Sequence, residues 1–264
     1  MGDPTGESAG TALRLDFDRR LRLRFRSAVI TSDAGLLAYR ELDDAVGLTD
    51  MAGDVLAEAR TGKNGRHALN GLLRQSVFGR LAGYEDVNDA ERLYRDPAMR
   101  WVVGDQAVYD AAASASEMGR FETEWLTRPE NLAALANLSG QWIDNVHRRR
   151  PPKLIVLDMD SSESPIYGEQ EGSAYNAHFG CMCYHPLFVF NQFGDLERCA
   201  LRPSNVHSAD NWENTLRPVV ARYSGKIARL YFRADAAFAM PEVCEFLEAE
   251  GIKYTIRLPA NRIL

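Results

Sequence analysis

Apolar residues recur at helical spacing through most of the first 150 positions. In "HALNGLLRQSVFGRLAGY" they lie three or four residues apart, which is the spacing of one buried helix face. Ser114 and Glu117 match a capping box, in which a hydroxyl and a carboxylate satisfy the first N–H groups of a helix. Gly47 follows another apolar-periodic segment and favours a helix end there. We therefore predict that region 1–150 is mainly helical.

Two basic clusters lie within that region. In "LRLRFR" apolar and basic residues alternate, which places Arg22, Arg24 and Arg26 on one face of a predicted strand. A second cluster, Arg148, Arg149 and Arg150, precedes two prolines and marks a predicted boundary. Each cluster could bind phosphate or be ordinary solvated surface, and we interpret 1–150 and 151–264 as separate domains.

The periodicity changes after residue 152, from helical spacing to short apolar runs. We predict the following elements: strands at 153–159, about 178–190 and about 196–202, a helix at about 208–223, a strand at 228–235, a helix at 241–250 and a strand at 252–258. Three closely spaced strands indicate an antiparallel meander, and strands separated by helices indicate parallel crossovers. The predicted class is α/β with a mixed sheet.

Two of these strands end in carboxylates. "LIVLDMDSS" leads into Asp158 and Asp160, and "LYFRAD" leads into Asp235. Each aspartate could cap a turn or a helix. If the strands are parallel neighbours, however, Asp160 and Asp235 face each other across one pleat, and a divalent cation would relieve their repulsion. Oxygen ligands favour Mg²⁺ or Mn²⁺.

Composition narrows the function classes only slightly. The 264 residues are 45% apolar, carry a formal net charge of −6 and include four cysteines. No apolar run is long enough to span a bilayer, so we expect a cytoplasmic protein without a membrane partner. The acidic total is weak evidence against nucleic acid, since phosphate binding depends on local patches such as the two arginine clusters.

Longer motifs carry a resemblance to a known family. They include "GRLAGYEDVNDAERLYRDPAMR", "LDMDSS", "YGEQEGSAYNAHFG" and "FRADAAFAMPEVCEFLEAEGIKYTIRLPANRIL". Over almost its whole length the chain resembles bacterial insertion-sequence transposases of the DDE type, in the group named for insertion sequence thirteen-eighty. The blocks "GYEDVND" and "RAD" are the most specific.

The resemblance implies an RNase H-like fold whose acidic residues bind two Mg²⁺ or Mn²⁺ ions. Asp160 matches the first acid and Asp235 the second; Asp158 is an alternative to Asp160, because strand alternation puts both on one face. Arg233 could contact a phosphate or form a salt bridge. The implied partners are the element ends and target DNA, bound by a homodimer at the nucleoid, and the resemblance makes region 1–150 a DNA-binding or assembly region.

One departure from the family concerns its third acid, a glutamate on a later helix. The predicted helix at 241–250 precedes the last strand, so its glutamates are misplaced for this role. From this we expect a C-terminally truncated chain, incomplete in its RNase H-like core, with little catalytic activity alone. Two alternatives stay open: a DNA-binding regulatory fragment without catalysis, and a haloacid-dehalogenase-like phosphatase with Asp158 as nucleophile and Asp160 as acid/base.

Overall fold

The computed structural model describes residues 13–14, 18, 22–23, 31, 33–58, 60 and 65–259. It divides the chain into two compact units, Met1–Leu138 and Ser139–Leu264. Within the described residues, no helix combines the length and the apolar character that crossing a membrane requires.

The first unit is mainly helical. It contains α1 (Leu36–Val46), α2 (Leu48–Val55), α3 (Leu69–Leu81), α4 (Ala90–Leu93), α5 (Pro97–Val103) and α6 (Ala115–Arg120), with the two-residue antiparallel strands β1 (Leu13–Arg14) and β2 (Arg22–Leu23). A π-helical turn, Phe121–Trp125, continues α6. The long helix α7 (Pro129–Arg149) begins in this unit and runs through the boundary.

The sequence signals at the helix ends act as expected. Gly47 ends α1 in the left-handed conformation, at φ 76°, where a side chain would be strained. The Ser114 side chain accepts a hydrogen bond from the Glu117 backbone and caps α6. Leu72 and Phe121, both fully buried, belong to one core of this unit. Helical periodicity therefore predicted this region correctly.

The second unit is built on a five-stranded mixed sheet. Its strands are β3 (Ile155–Ser161), β7 (Leu187–Asn191), β8 (Leu196–Ala200), β9 (Leu230–Ala234) and β10 (Lys253–Ile256), with helices α8 (Trp212–Tyr223) and α9 (Pro241–Ala249). The order is β10-β9-β3-β7-β8. β3, β7 and β8 are antiparallel neighbours, and β9 and β10 run parallel to β3. This is the order of the RNase H-like fold, and it confirms the predicted class.

The predicted strand at about 178–190 is wrong in one respect, because it is two strands in different sheets. β6 (Cys181–Tyr184) pairs with β4 (Ser164–Pro165) and β5 (Ala174–Asn176) in a small three-stranded sheet. His185 and Pro186 separate β6 from β7. Proline has no N–H to donate to a ladder, so pairing is interrupted there.

One face of the large sheet is buried. Ile155, Leu157 and Met159 on β3 are at most 2% exposed and share a core with residues of α8 and α9. The alternate positions point the other way: Asp158 is half-buried and Asp160 is exposed. Burial of the apolar residues therefore determines the face on which the aspartates lie.

A buried carboxylate stabilises the edge of this unit. The Glu197 side chain is fully buried on β8 and forms an ion pair with Arg222. It also accepts hydrogen bonds from the Tyr223 hydroxyl at 2.6 Å and from Asn191 Nδ2 at 2.7 Å. Arg222 in turn contacts Asp144 on α7. A buried charge that loses its partners is costly, so these groups depend on one another.

We expect Glu197→Ala to lower the free energy of unfolding by about 3 kcal/mol, because it leaves Arg222, Tyr223 and Asn191 without their shared acceptor. The matched control is Glu213→Ala, whose partner Arg217 lies four residues on and is half exposed. That loss should stay below about 1 kcal/mol. Urea unfolding of both variants measures the difference, and equal losses would contradict the assigned role of Glu197.

Candidate active site

The pairing of β3 with β9 positions the acidic residues. In this parallel register Asp158 lies opposite Arg233, and Met159 lies opposite Ala234. The pairing ends there, and Asp235 directly follows the last residue of β9. Positions two apart on a strand share a face, and the side chains of Asp158 and Arg233 bond to each other. Continued by one step, the same register would bring Asp160 and Asp235 opposite each other on that face.

Asp158 and Arg233 form a bidentate ion pair. Arg233 Nε donates to Asp158 Oδ1 and Arg233 Nη2 donates to Oδ2, both at 2.6 Å. The Asp158 side chain is 36% exposed and the Arg233 side chain is 58% exposed. These hydrogen bonds and the nearby negative charge raise the pKa of Arg233 above its ordinary value. Both oxygens of Asp158 are thus engaged by a guanidinium, and Arg233 forms the salt bridge that the sequence left as one of two possibilities.

Asp160 and Asp235 each accept one local backbone hydrogen bond. Asp160 Oδ1 accepts from the Ser161 N–H at 2.8 Å. Asp235 Oδ1 accepts from the Ala237 N–H at 3.0 Å and caps the short 3₁₀ helix Ala236–Phe238. Within the described part of the chain, no hydrogen bond is seen at the second oxygen of either carboxylate. Asp235 therefore has the capping role that was considered from the sequence. Each of the two carboxylates keeps one oxygen for another ligand.

The donor set suits a hard divalent cation. Mg²⁺ is commonly held by one or two carboxylates and completes its octahedron with water and phosphate oxygens. Two exposed carboxylates, Asp160 in β3 and Asp235 directly after β9, are ligands of this kind. Among the residues that the structure describes, no group of three or more His, Cys, Asp or Glu side chains could hold a metal ion. Asp158 consequently does not complete a three-carboxylate cluster with Asp160 and Asp235.

Aromatic residues flank the acids on β7, where sequence reasoning assigned no function. Phe188 pairs with Asp160 and Phe190 pairs with Asp158 in the antiparallel register. Their ring centroids are 5.7 Å apart in a tilted arrangement, and both side chains are half-buried. The alternation in "LFVFN" is the signal that could have indicated them, since it places both rings on the acidic face.

The basic residues named from the sequence do not all fall within the described part of the chain. Arg148, Arg149 and Arg150 are exposed, and α7 ends at Arg149. Of Arg22 only the backbone is described, in β2. Arg24 and Arg26 lie outside the described residues.

Comparison with known proteins adds a family match. The model described as "Transposase DDE domain group 1" matches residues 13–264. The cryo-EM structure of the piggyBac transposase synaptic complex with hairpin DNA is 13% identical, covers 89% of this chain and 52% of its own, and has a TM-score of 0.37. The Mos1 transposase paired-end complex with left transposon end is also 13% identical, over 87% of this chain and 68% of its own, at a TM-score of 0.27. No curated protein matches the chain.

This chain spans about half the length of the piggyBac chain. Structural likenesses with TM-scores below 0.5 carry no weight for fold or function. The family model, in contrast, covers nearly all of the sequence.

The cap and the carboxylate pair make separable contributions to stability at Asp235. Asn caps a helix about as well as Asp, whereas Ala costs about 1 kcal/mol. In buffer with a chelator we expect Asp235→Asn to be at least as stable as the unmodified chain, since it also removes repulsion from Asp160. Asp235→Ala removes the same repulsion but also the cap, so it should be about 1 kcal/mol less stable than Asp235→Asn. Urea unfolding tests both, and an Asn variant as weakened as the Ala variant would refute the expectation.

Proposed function

The chain belongs to the family of transposases with a group 1 DDE domain, and from that premise we propose that it acts on insertion-sequence DNA by metal-dependent strand cleavage and transfer. The group named for insertion sequence thirteen-eighty is the proposed subfamily. One observation supports the proposal: continued one step beyond Met159 and Ala234, the β3–β9 register would bring the exposed residues Asp160 and Asp235 side by side. The phosphatase alternative has no comparable support, because both oxygens of its nucleophile, Asp158, are bonded to Arg233.

Asp160 and Asp235 would hold Mg²⁺ or Mn²⁺. Such an ion, when bound, stabilises charge on a phosphoryl group and lowers the pKa of a bound water. The chain itself would contribute carboxylates held in fixed positions. Asp160 lies on the central strand, and Asp235 is oriented by the hydrogen bond that it accepts from the Ala237 N–H. Preorganised ligands lose little entropy when they bind an ion.

We propose that this chain cleaves DNA slowly by itself. The described residues include no group of three or more His, Cys, Asp or Glu side chains that could hold a metal ion, and an incomplete ligand set loosens the geometry that in-line phosphoryl transfer needs. A DNA-binding regulatory role without catalysis is the second candidate. It is favoured by the exposed arginines at the end of α7.

The proposed partners are the element ends and target DNA, bound by a homodimer. The net charge of −6 would repel DNA on average, so binding has to come from local basic clusters. Arg148, Arg149 and Arg150 form such a cluster, and Arg22, Arg24 and Arg26 are a second proposed set. Binding to chromosomal DNA would place the protein at the nucleoid of the cytoplasm.

Metal binding is tested directly by titrating Mn²⁺ into the full chain in a calorimeter. Asp160→Asn and Asp235→Asn should each weaken Mn²⁺ binding by about tenfold or more, since each removes one of the charged ligands. Glu245→Gln, which removes an exposed carboxylate from α9, is the control and should leave the affinity unchanged. Retained Mn²⁺ affinity in both aspartate variants would exclude this metal site.

DNA binding is tested by gel shift over a range of salt concentrations. Each phosphate contact contributes about −0.9 to the slope of log affinity against log salt, so replacing Arg148, Arg149 and Arg150 together by Gln should make the slope shallower by up to about 2.7. A uniform weakening across unrelated DNA sequences is expected as well.

A charge-matched control separates local contacts from total charge. Replacing Arg92, Arg95 and Arg217 by Gln removes the same charge from three exposed sites outside that cluster. That variant should keep the original salt slope. If both triple variants change the slope equally, the cluster at the end of α7 makes no specific phosphate contact.

A further inference from the structure

The register of β3 and β9, continued by one step beyond its last pair, gives two successive pairs of charged side chains on one face. The first pair, Asp158 with Arg233, is neutral and bonded through both carboxylate oxygens. The second, Asp160 with Asp235, carries two like charges. Successive pairs on one face are about 6.6 Å apart along the strands. The extended side chain of Arg233 is long enough to cover that distance, so the second pair lies within its reach.

A guanidinium released at this position would compete with a metal ion. Its fork matches a carboxylate bidentately and would occupy oxygens that a cation needs. Like-charged carboxylates would also attract it, because their repulsion is relieved by any nearby positive charge. Arg233 is exposed enough to move, as more than half of its side chain is accessible. In the structure it instead bonds to Asp158.

We propose that Asp158 is a positioning residue, which holds Arg233 away from the Asp160–Asp235 pair and so keeps that pair open to a divalent cation. This inference rests on the proposed metal site. Strand alternation alone left Asp158 as an alternative metal ligand to Asp160. Under this inference Asp158 is not a metal ligand. Two observations support it: both Asp158 oxygens are already engaged, and Asp158 completes no three-carboxylate group.

A double-mutant cycle distinguishes a positioning residue from a ligand. Asp158→Asn combined with Arg233→Gln leaves the net charge of the site as in the unmodified chain, so long-range electrostatics nearly cancel. If Asp158 acts through Arg233, the single variant Asp158→Asn should weaken Mn²⁺ binding by about tenfold, as losses outside the ligand shell commonly do. The double variant should then return to within about threefold of the unmodified chain, since the competitor is gone.

The measurement is the electron paramagnetic resonance signal of free Mn²⁺, titrated with the full chain. It requires no catalytic turnover. Thermal melts check that every variant is folded, which is expected because both side chains are substantially exposed. Arg233→Gln alone should bind Mn²⁺ as tightly as the unmodified chain or more tightly, because it removes a positive charge near the ion.

The outcomes separate this inference from the proposed function. If the double variant stays about tenfold weaker than the unmodified chain, Asp158 is itself a ligand and the inference is overturned, while the metal site stands. If Asp158→Asn alone has no effect, the positioning role is likewise refuted. If Asp160→Asn and Asp235→Asn do not weaken Mn²⁺ binding, the metal site fails, and the role of Asp158 fails with it.

Discussion

The parallel pairing of β3 with β9 is the constraint on which the candidate site depends. These strands are far apart in sequence, and the backbone ladder alone brings Asp158 next to Arg233 and ends one residue before Asp160 and Asp235. A register shift by one residue would turn each carboxylate toward the core. Burial of Leu157 and Phe232 on the opposite face opposes such a shift, so hydrophobic packing maintains the polar geometry.

The two aspartates of β3 have different environments although they lie on the same face of one strand. Asp158 is bonded to the guanidinium of Arg233, which balances its negative charge. Asp160 lies one residue beyond the last β3–β9 pair, and its second carboxylate oxygen accepts no hydrogen bond among the described residues. Like charges held close together are unfavourable without a counterion, which is the electrostatic basis of the proposed metal site. Carboxylates that follow the same apolar strand thus differ in role: Asp158 forms an ion pair with Arg233, and Asp160 is a proposed metal ligand.

Periodicity predicted most of the elements of the second unit, and the predicted antiparallel meander and parallel crossovers are both present. It failed at 178–190, where alternation continues through His185 and Pro186 although the two halves belong to different sheets. Local pattern carries no information about which strand a segment will pair with. The same limitation applies to Glu197, because nothing in "DLERCA" indicates that this one glutamate is buried among Arg222, Tyr223 and Asn191.

The amino-acid sequence is sufficient to establish the class of the fold, the two acids at the ends of apolar strands and the family to which the chain belongs, because these features depend on short-range spacing and on motifs. The partner of Asp158 could be established from the folded chain alone. Asp158 and Asp160 are equivalent by alternation, and Arg233 could equally have contacted a phosphate. The register between strands distant in sequence distinguishes the two aspartates, because it places Asp158 opposite a guanidinium, whereas Asp160 lies one residue beyond the last β3–β9 pair.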